Sequence, residues 1–563
     1  MSTYIEKKIT NKTTYYYLVK KKYDPQKKNS IRISTISLGN IKTIEEKINS
    51  PKPKLAKSKS FGEVFAVYQT IKELGIDKII QNLPLNKQEA ELLEIAIINR
   101  ATQSTSKNQL SNWFEKTTLF KTYPEIRKKL NSMNYSRLSK KINSENIDNS
   151  LTQLLENLQK LGVDTTDIIL DNTNYTTRIQ KTKNLKLPQL GKPKNGKWGN
   201  LQINMNMIVS KDGQIPLYYK PYQGNINDPT FFKNNRDKLI ELSSKYKIGK
   251  KKVTMSIDAG HNSQDNVDMI KSKYDFVGTI RPSMCKDLML KPSSEFKEII
   301  ELENGENIKI YSKKREIYNE KYLVVVSEFS STKRKSIYTF NNNIDKTINE
   351  IKLFENDLNM TFKAEKESSK KRRSKFHDVK NIEECVSKII CKKEHMKKIL
   401  ETKIELKDNE VLVNVRVNEN DKAKVVNQLG RAIRFTNRKD LSAKEVIEYY
   451  QNQYMVEHQF RDLKNPHLTS LMPMFHHTNE SIEMFLFTNY LALVVLSYMV
   501  RKVKKNFRMI FSKEKMIENL REMREIIFVF GNKPTSIISE KKSDFQERMY
   551  EIFNLDKYYN LGL

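Results

Sequence analysis

The sequence predicts an α/β protein in which a layered sheet is joined to helical and smaller β segments. Two observations support this class. From residue 61 to about 161 apolar residues recur at helical spacing, whereas from Asp164 short apolar runs typical of buried strands alternate with helical stretches. The chain has 563 residues, enough for several domains, and its apolar fraction of 38% is adequate for packed cores.

The N-terminal part is predicted to be a small β unit, then a linker, then a helical domain. Within residues 1–48, two strand-like runs flank a turn at Asp24-Pro25. Residues 49–60 combine proline, lysine and serine in the manner of a solvated connector. Residues 61–162 form the helical domain. Because it is basic, we expect it to bind DNA, although a helical support domain fits the pattern equally well.

Two aspartates are predicted to follow core strands within residues 163–282. A short apolar run stands directly before Asp171, and an alternating apolar run stands directly before Asp258. Between them, the sequence predicts a hairpin with a turn at Asp212-Gly213 and then a helix. Taken singly, either aspartate could instead be a turn or helix cap.

Residues 442–466 are predicted to form one long helix with a polar stripe directed away from an apolar one. An acid flanked by cations and aromatic rings suits a metal ion beside a phosphate backbone. An ordinary intrahelical ion pair between Glu457 and Arg461 is the alternative. At 100° per residue, the polar stripe contains Tyr450, Gln453, Tyr454, Glu457, Arg461 and Lys464.

The three acids occur in the order strand, strand, helix, which is what a ribonuclease-H-like core would produce at one edge of its sheet. Between Asp258 and Glu457 there are 457 − 258 = 199 positions, more than such a core needs. Residues 283–430 are therefore predicted to be an insertion. Residues 431–470 would return to the core with its last strand and the glutamate helix, and residues 471–563 would be a helical C-terminal region.

The charge of the chain indicates a polyanionic partner. There are 101 Lys and Arg residues against 67 Asp and Glu residues, a formal net charge of +34. Nucleic acid is favoured over a membrane, and the apolar stretch 482–500 is predicted to be a buried helix because it carries several polar residues.

Three cysteines without a disulfide framework, and an N-terminus without an apolar leader, indicate the cytoplasm.

The predicted insertion holds two weaker candidates for function. The basic run at residues 368–376 is interpreted as a solvated helix face rather than a phosphate contact. Four possible zinc ligands have spacings that match no common zinc module, so zinc is disfavoured. These ligands are His377, Cys385, Cys391 and His395.

Together, the motifs resemble the DDE transposases of bacterial insertion sequences. The last catalytic helix of that family carries the signature Tyr-x-x-Arg-x-x-x-Glu-x6-Lys, which Tyr450, Glu457 and Lys464 match. Gln453 replaces the arginine, as in a subgroup of the family. The segments "LDNTNY", "GNINDPTFF", "DAGHNS" and "INRATQSTSKNQLSNWFEKTTL" also match, so the resemblance spans nearly the whole chain.

The resemblance implies a ribonuclease-H-like catalytic core in which Asp171, Asp258 and Glu457 are both catalytic residues and metal ligands. They would hold two Mg²⁺ or Mn²⁺ ions. It also implies a large, mostly β insertion before the last catalytic helix, packed beside the active site. DNA contacts are assigned to the polar stripe at Tyr450, Gln453, Tyr454, Arg461 and Lys464.

The predicted function is a transposase that binds the terminal inverted repeats of an insertion sequence, cleaves the ends and transfers the 3′ hydroxyls to target DNA. Its partner would be double-stranded DNA, bound by a dimer. No nucleotide cofactor is expected, because transesterification conserves the phosphodiester energy and the sequence has no glycine-rich phosphate loop. The alternatives are a metal-dependent nuclease of the same fold without strand transfer, and a DNA-binding protein with a decayed site.

Overall fold

The structure is a computed structural model with a mixed α/β fold built around a large mixed sheet, in agreement with the predicted α/β class. The structure describes residues 2–10, 12–24, 29–49, 54–181, 184–192, 199–247, 252–258, 263–301, 307–367, 378–407, 410–507, 511–530, 533–538 and 543–560.

An antiparallel sheet with the order β1-β2-β3 lies at the N-terminus, as predicted, and a helix follows it. The two outer strands are exposed along most of their length. Asp24 ends β2, and Pro25 of the predicted turn lies outside the described residues. The elements are β1 (Ser2–Thr10), β2 (Thr13–Asp24), β3 (Asn29–Asn40) and α1 (Ile41–Asn49).

The predicted linker is wrong over its second half. β4 (Lys54–Ser60) pairs antiparallel with β17 (Arg524–Phe530), which also pairs with β18 (Lys533–Ile538). Backbone hydrogen bonds to a distant strand therefore order a segment whose composition resembles a connector. For the same reason, the predicted helical C-terminal region, residues 471–563, also contains the strands β17 and β18.

The elements described between residues 61 and 161 are helical, as predicted. Their starts follow capping rules: Asn86 and Asn143 each form a capping box with the residue three positions later. The α-helices are α2 (Gly62–Glu73), α3 (Ile76–Gln81), α4 (Lys87–Thr102), α5 (Leu110–Glu115), α6 (Leu119–Thr122), α7 (Ser132–Ser139) and α8 (Ser144–Lys160).

The next segment contains the strands and helices predicted around the two aspartates. Gly213, with φ of +76°, lies in the turn of the predicted β7–β8 hairpin. Asn227 and Ser263 cap the helices that follow. The elements are β5 (Asp167–Thr176), β6 (Gln189–Leu190), β7 (Leu201–Ser210), β8 (Pro216–Gln223), α9 (Asp228–Asn234), α10 (Arg236–Lys245), β9 (Thr254–Ile257), α11 (Gln264–Lys273) and β10 (Asp275–Thr279).

The segment predicted as a mostly β insertion contains substantial helix. One helix is 38 residues long, because its buried Phe340, Ile344, Ile351, Leu358 and Phe362 recur at helical spacing in a separate hydrophobic core. The elements are α12 (Lys286–Met289), β11 (Glu298–Glu301), β12 (Asn307–Ile317), β13 (Glu320–Phe329), α13 (Ser330–Glu367), α14 (Val379–Cys391), α15 (Met396–Ile399), β14 (Leu400–Lys407), β15 (Glu410–Val417) and α16 (Glu419–Gln428).

The central sheet has the strand order β11-β12-β13-β16-β10-β9-β5-β7-β6, where β16 is Arg431–Thr436, and β8 pairs with β7. Strands β5, β9 and β10 are mutually parallel, and the other pairs are antiparallel. Strands β11 to β13 thus extend the central sheet through β16. After β13, the rest of the predicted insertion, from α13 to α16, lies outside this sheet.

The predicted single helix over residues 442–466 is two helices, α17 (Ala443–Gln451) and α18 (Tyr454–Lys464). Asn452 and Gln453 form a turn between them, where the backbone N–H of Gln453 donates to the Tyr450 carbonyl at 2.9 Å. The side chain of Gln453 is buried at this turn. The polar stripe is therefore interrupted between Tyr450 and Gln453.

The apolar stretch near the C-terminus lies in α19 (Asn479–Phe507), which α20 (Lys513–Arg521) and α21 (Asp544–Ile552) follow. By length and composition alone α19 could cross a membrane, but 94% of its most apolar window is buried inside the protein. The hydroxyls of Thr488 and Tyr135 are hydrogen bonded at 2.9 Å. The burial agrees with the predicted core helix.

Candidate catalytic site

Asp171 and Asp258 lie at the same level of two neighbouring parallel strands. β5 pairs with β9 from Asp167 opposite Thr254 to Ile169 opposite Ser256, an offset of 254 − 167 = 87 residues. The two aspartates differ by the same number, 258 − 171 = 87. They follow the paired segment by two residues in each strand, so the parallel pairing of β5 with β9 brings the two carboxylates to one edge.

The two aspartates differ in how their strands end. Asp258 directly follows β9, as predicted, whereas Asp171 lies inside β5, opposite Met207 of β7. The prediction that Asp171 ends its strand is therefore wrong, because β5 continues to Thr176. The parallel ladder to β9 does stop just before it, but the antiparallel ladder to β7 continues to Thr176.

Two hydroxyl groups hold the carboxylate of Asp258. Tyr450 and Thr279 each donate a hydrogen bond to its Oδ1 at 3.1 Å. Burial, followed by the charge of Asp258, raises the pKa of Tyr450, so its hydroxyl stays protonated and can donate. Tyr450, predicted as a DNA contact, contacts the Asp258 carboxylate in this structure.

A buried arginine lies on the other side of Tyr450. The guanidinium carbon of Arg434 is 4.7 Å from the centre of the Tyr450 ring, and Arg434 Nη1 donates to Ser327 Oγ at 2.6 Å. Burial lowers the pKa of Arg434 to about 10, which leaves it protonated at neutral pH. The positive charge of Arg434 therefore lies against the ring of the tyrosine that donates to Asp258.

Helix α18 lies along the face of β5 that carries Asp171. Gln453 Nε2 donates to the Leu170 carbonyl at 3.3 Å, and Lys464 Nζ donates to Thr173 Oγ1 at 3.0 Å. Thr173 is on the same face of β5 as Asp171, because side chains alternate along a strand. The helix therefore passes from one side of Asp171 to the other.

Glu457 lies between these two contacts in the helix, four residues after Gln453 and seven before Lys464, so all three share one side. Its side chain is exposed. Among the described residues, no three His, Cys, Asp or Glu side chains are close enough together to hold a metal ion. The structure thus brings the helix of Glu457 to the Asp171 face without assembling the three acids into one cluster.

The remaining predicted DNA contacts are on the outer side of α18. Tyr454 is exposed, with its ring 4.9 Å from that of His458, and Arg461 is exposed as well. Both can therefore be reached by a large ligand such as a nucleic acid. Lys464 is partly buried, with its ammonium 4.9 Å from the Tyr175 ring centre.

The aspartate side of the site fits a hard divalent cation. Carboxylate and amide oxygens are the ligands that such ions prefer. The amide oxygen of Gln453, whose Nε2 contacts the residue before Asp171, is buried without a hydrogen-bond partner within the described chain. A buried acceptor left unpaired is costly, and a cation nearby would satisfy it.

The other metal candidate receives no support. Cys385 is partly buried, Cys391 is exposed, and these two with His395 do not form a metal-holding group in the described part of the chain. The fourth proposed ligand, His377, and the basic run at residues 368–376 lie outside the described residues.

Sequence reasoning did not identify Thr279, Arg434 or Asp228 as site residues. Asp228 Oδ1 accepts a hydrogen bond from the Tyr222 hydroxyl at 3.0 Å, and the charges of Asp228 and Asp171 add to burial in raising the pKa of Tyr222. For Asp228, the available signal is its place in the segment "GNINDPTFF", which matches the family. For Arg434, the available signal is a charged residue in the middle of the apolar strand β16.

The comparison with solved structures finds a weak likeness. The cryo-EM structure of a piggyBac transposase synaptic complex with hairpin DNA is 9% identical in sequence, with a TM-score of 0.35. The match covers 81% of this chain and 76% of that chain. A TM-score this low does not establish a common fold. No curated protein matches the sequence significantly.

Residues 163–495, more than half of the chain, match the family model described as the transposase DDE domain. The matched range contains all three acids and both helices of the site. Members of this family are nucleic-acid-processing enzymes that generally depend on divalent metal ions. The chain therefore belongs to the transposase DDE domain family.

Proposed function

We propose that this protein is the transposase of an insertion sequence, which binds the terminal inverted repeats, cleaves the ends and joins the freed 3′ hydroxyls to target DNA. The observation that carries the proposal is the equal level of Asp171 and Asp258 on neighbouring parallel strands, with α18 and Glu457 on the Asp171 face. Membership of the transposase DDE domain family supplies the reaction class.

We infer that the catalytic core is ribonuclease-H-like. The strand order β8-β7-β5-β9-β10 supports this: the first three strands pair antiparallel, and the last two run parallel to β5 after helical connections. Such a core places acids of adjacent strands at one edge and leaves that edge open for a later helix. The proposed core spans residues 163–282 and 431–470, with the helical segment 61–162 as its DNA-binding support.

Asp171, Asp258 and Glu457 are the proposed ligands of two Mg²⁺ or Mn²⁺ ions, which when bound would activate the attacking water or 3′ hydroxyl and stabilise the leaving oxygen. Tyr450 and Thr279 orient the Asp258 carboxylate through their hydrogen bonds. Because Glu457 is exposed on the side of α18 that borders Asp171, we propose that it joins the aspartates once metal and DNA are bound.

The phosphate contacts are assigned to the cations and the exposed aromatic residue of α18. Arg461 and Lys464 would donate to phosphate oxygens, as charged donors do in nucleic-acid complexes. Tyr454 would contact a sugar or base. The net charge of +34 is consistent with a long phosphate-binding surface. Pairing two element ends calls for two copies of the chain, so we propose a dimer on DNA in the cytoplasm.

The test is a cleavage and strand-transfer assay. It uses linear DNA that carries the inverted repeats flanking the gene, supplied with Mg²⁺. The full chain should release the ends and join them to target DNA, and Asp171→Asn should bind the ends without cutting them. Asp237→Asn, an exposed aspartate on α10, is the matched control and should act as the wild type.

Three results would contradict the proposal. Cleavage without joining would leave the metal-dependent nuclease of the same fold as the function. Binding by the wild type without any cleavage would indicate a DNA-binding protein with a decayed site. Cleavage by Asp171→Asn at the wild-type rate would remove that aspartate from the catalytic machinery.

A further inference from the structure

A cavity of about 320 Å³ lies between the loop that follows α4 and the loop that follows α18. The α4 loop belongs to the segment "INRATQSTSKNQLSNWFEKTTL", to which the proposed reaction gives no role. Among the described residues of its lining there are cations and neutral hydroxyl and amide groups, but no aspartate or glutamate. The lining includes Arg100, Ser104, Lys107, Ser470, Phe475 and His476.

The two cations of the cavity are positioned by neutral groups and aromatic rings. Arg100 Nη1 donates to Ser104 Oγ at 2.6 Å, and its guanidinium carbon is 4.9 Å from the Phe485 ring centre. The ammonium of Lys107 is 5.5 Å from the centre of the Tyr135 ring. Within the described chain, neither cation forms an ion pair. Burial, followed by the charge of Arg100, lowers the pKa of Lys107. The positive potential in the cavity is therefore not compensated.

A buried histidine, His476, also lines the cavity. His476 is 7% exposed, its ring centre is 4.3 Å from that of Phe485, and its Nδ1 has no hydrogen-bond partner in the described structure. Burial first, and then the charges of Lys107, Arg100 and His477, lower its pKa to about 3. The two uncompensated cations make the cavity complementary to an anion, and the unpaired Nδ1 of the neutral imidazole can donate to that anion when it carries the ring proton.

The surroundings of the cavity indicate which anion. Phe475 lines it with a side chain that is 58% exposed, and an aromatic ring beside a cationic groove is how proteins hold nucleic-acid strands. The Arg178 amide donates to the Met474 carbonyl at 3.3 Å, so the same loop touches the chain seven residues after Asp171. Seven residues span at most roughly 23 Å, the length of a few nucleotides.

We propose that this cavity binds a backbone phosphate of the DNA strand that runs on from the cleavage site, with the adjoining base against Phe475. The inference rests on the proposed transposase function and adds a second DNA site to it. Lys107 and Arg100 donate to the phosphate. The hydroxyls of Ser104 and Ser470 line the cavity and donate to the carbonyls of Thr469, at 3.2 Å, and Met472, at 3.5 Å.

The test measures binding of the full chain to duplex DNA that carries the flanking inverted repeat. A neutral methylphosphonate is placed at successive positions of each strand. Besides the positions that Arg461 and Lys464 contact, wild-type affinity should fall about tenfold at one further position near the cleavage site, the loss expected for one charge-assisted hydrogen bond. Lys107→Gln should lose similar affinity for unmodified DNA, and should no longer respond to the methylphosphonate at that position.

Two control variants and a second probe make the assignment specific. Lys140→Gln removes an exposed lysine of the same helical segment and should behave as the wild type, whereas Lys107→Arg should keep the affinity. The slope of log K against log salt should fall by about 0.9 in Lys107→Gln, which is one phosphate contact. The fluorescence of a 2-aminopurine next to the sensitive phosphate should be quenched by the wild type and not by Phe475→Ala.

The outcomes separate this inference from the proposed function. A wild-type chain that cuts and joins DNA but responds equally to methylphosphonate at every position near the cleavage site would overturn the cavity assignment alone. If millimolar inorganic phosphate binds to the chain but the methylphosphonate scan shows no further sensitive position, the cavity would be a site for free phosphate and not for DNA. A wild-type chain without affinity for DNA would overturn both. If Lys107→Gln does not fold, the 2-aminopurine signals of the wild type and of Phe475→Ala decide the question.

Discussion

The hydroxyl of Tyr450 donates a hydrogen bond to Oδ1 of Asp258 at 3.1 Å and thereby ties α17 to the end of β9. The adjacent Tyr449 makes the corresponding contact to an acid four residues before Asp171: its hydroxyl donates to both oxygens of Asp167 at 3.1 Å. Neighbouring tyrosines thus bind two acids on adjacent strands, and only one of those acids is a proposed metal ligand.

This pair gives a matched test of positioning. Tyr450→Phe removes a donor from a proposed ligand, and residues that orient metal ligands typically contribute about 10–100-fold to metal affinity or activity. We expect Tyr450→Phe to raise the Mg²⁺ concentration needed for half-maximal cleavage by about tenfold. Tyr449→Phe should leave that concentration unchanged. Equal metal dependence of the two variants would show that Tyr450 does not act through Asp258.

Lys464 should act on the cleaved end rather than on first recognition. Its ammonium contacts Thr173 on the Asp171 face of β5, close to where the reacting phosphate would lie. We expect Lys464→Ala to weaken binding of pre-cleaved ends several-fold more than binding of uncut ends, in gel-shift titrations at one salt concentration. The control is Lys444→Ala, which removes an exposed lysine from α17. A loss of equal size for both kinds of DNA would contradict this placement.

Binding of the full chain to its ends should depend steeply on salt. With a net charge of +34, many phosphates should be neutralised, and each contributes about −0.9 to the slope of log K against log salt in duplex DNA. Affinity measured at increasing KCl concentrations should therefore give a slope of several units. A nearly flat dependence would mean that the contacts are mainly uncharged.

Glu63 should lower stability at neutral pH. It is 2% exposed, its Oε2 has no hydrogen-bond partner in the described structure, and burial raises its pKa despite nearby Arg521 and Arg524. The pKa of Glu63 is higher in the folded state than in the unfolded state. Below the unfolded pKa the acid is protonated in both states and does not reduce the free energy of unfolding, whereas stability is lost as pH rises through the folded pKa.

The corresponding test is thermal unfolding of Glu63→Gln at neutral and acidic pH. The variant should unfold at a higher temperature than the wild type at pH 7, and the gain should shrink as pH falls toward the ordinary glutamate pKa. Glu156→Gln removes an exposed glutamate of α8 and should change neither value. A gain that grows on acidification would contradict the sign of the argument.

Local patterns predicted the elements around the aspartates well. The apolar run before Asp171, the alternating run before Asp258 and the glycine turn at residue 213 each specify a strand or hairpin through nearby residues alone. The parallel register could not be predicted from the sequence, because it depends on how β5 and β9 align. Once the ladder is known, the common offset of 87 residues explains why the two acids meet.

The errors occurred where distant contacts override local composition. Lys54–Ser60 has the composition of a linker, but its pairing with β17 makes it a strand. The turn at Asn452 and Gln453 interrupts a good helical pattern, because Gln453 is buried against the Leu170 carbonyl. Arg434 and Thr279 become site residues only when β16 and β10 bring them to Tyr450 and Asp258, which no local motif could indicate.

The central claim is that Glu457 completes a metal site with Asp171 and Asp258, although α18 leaves it exposed in the structure. The most direct measurement is Mg²⁺-dependent cleavage and strand transfer by Glu457→Gln, beside Glu448→Gln, which removes an exposed glutamate from α17. We expect Glu457→Gln to bind the DNA ends with wild-type affinity but to form no product, while Glu448→Gln should form product as the wild type does. Cleavage by Glu457→Gln at a rate near that of Glu448→Gln would contradict it.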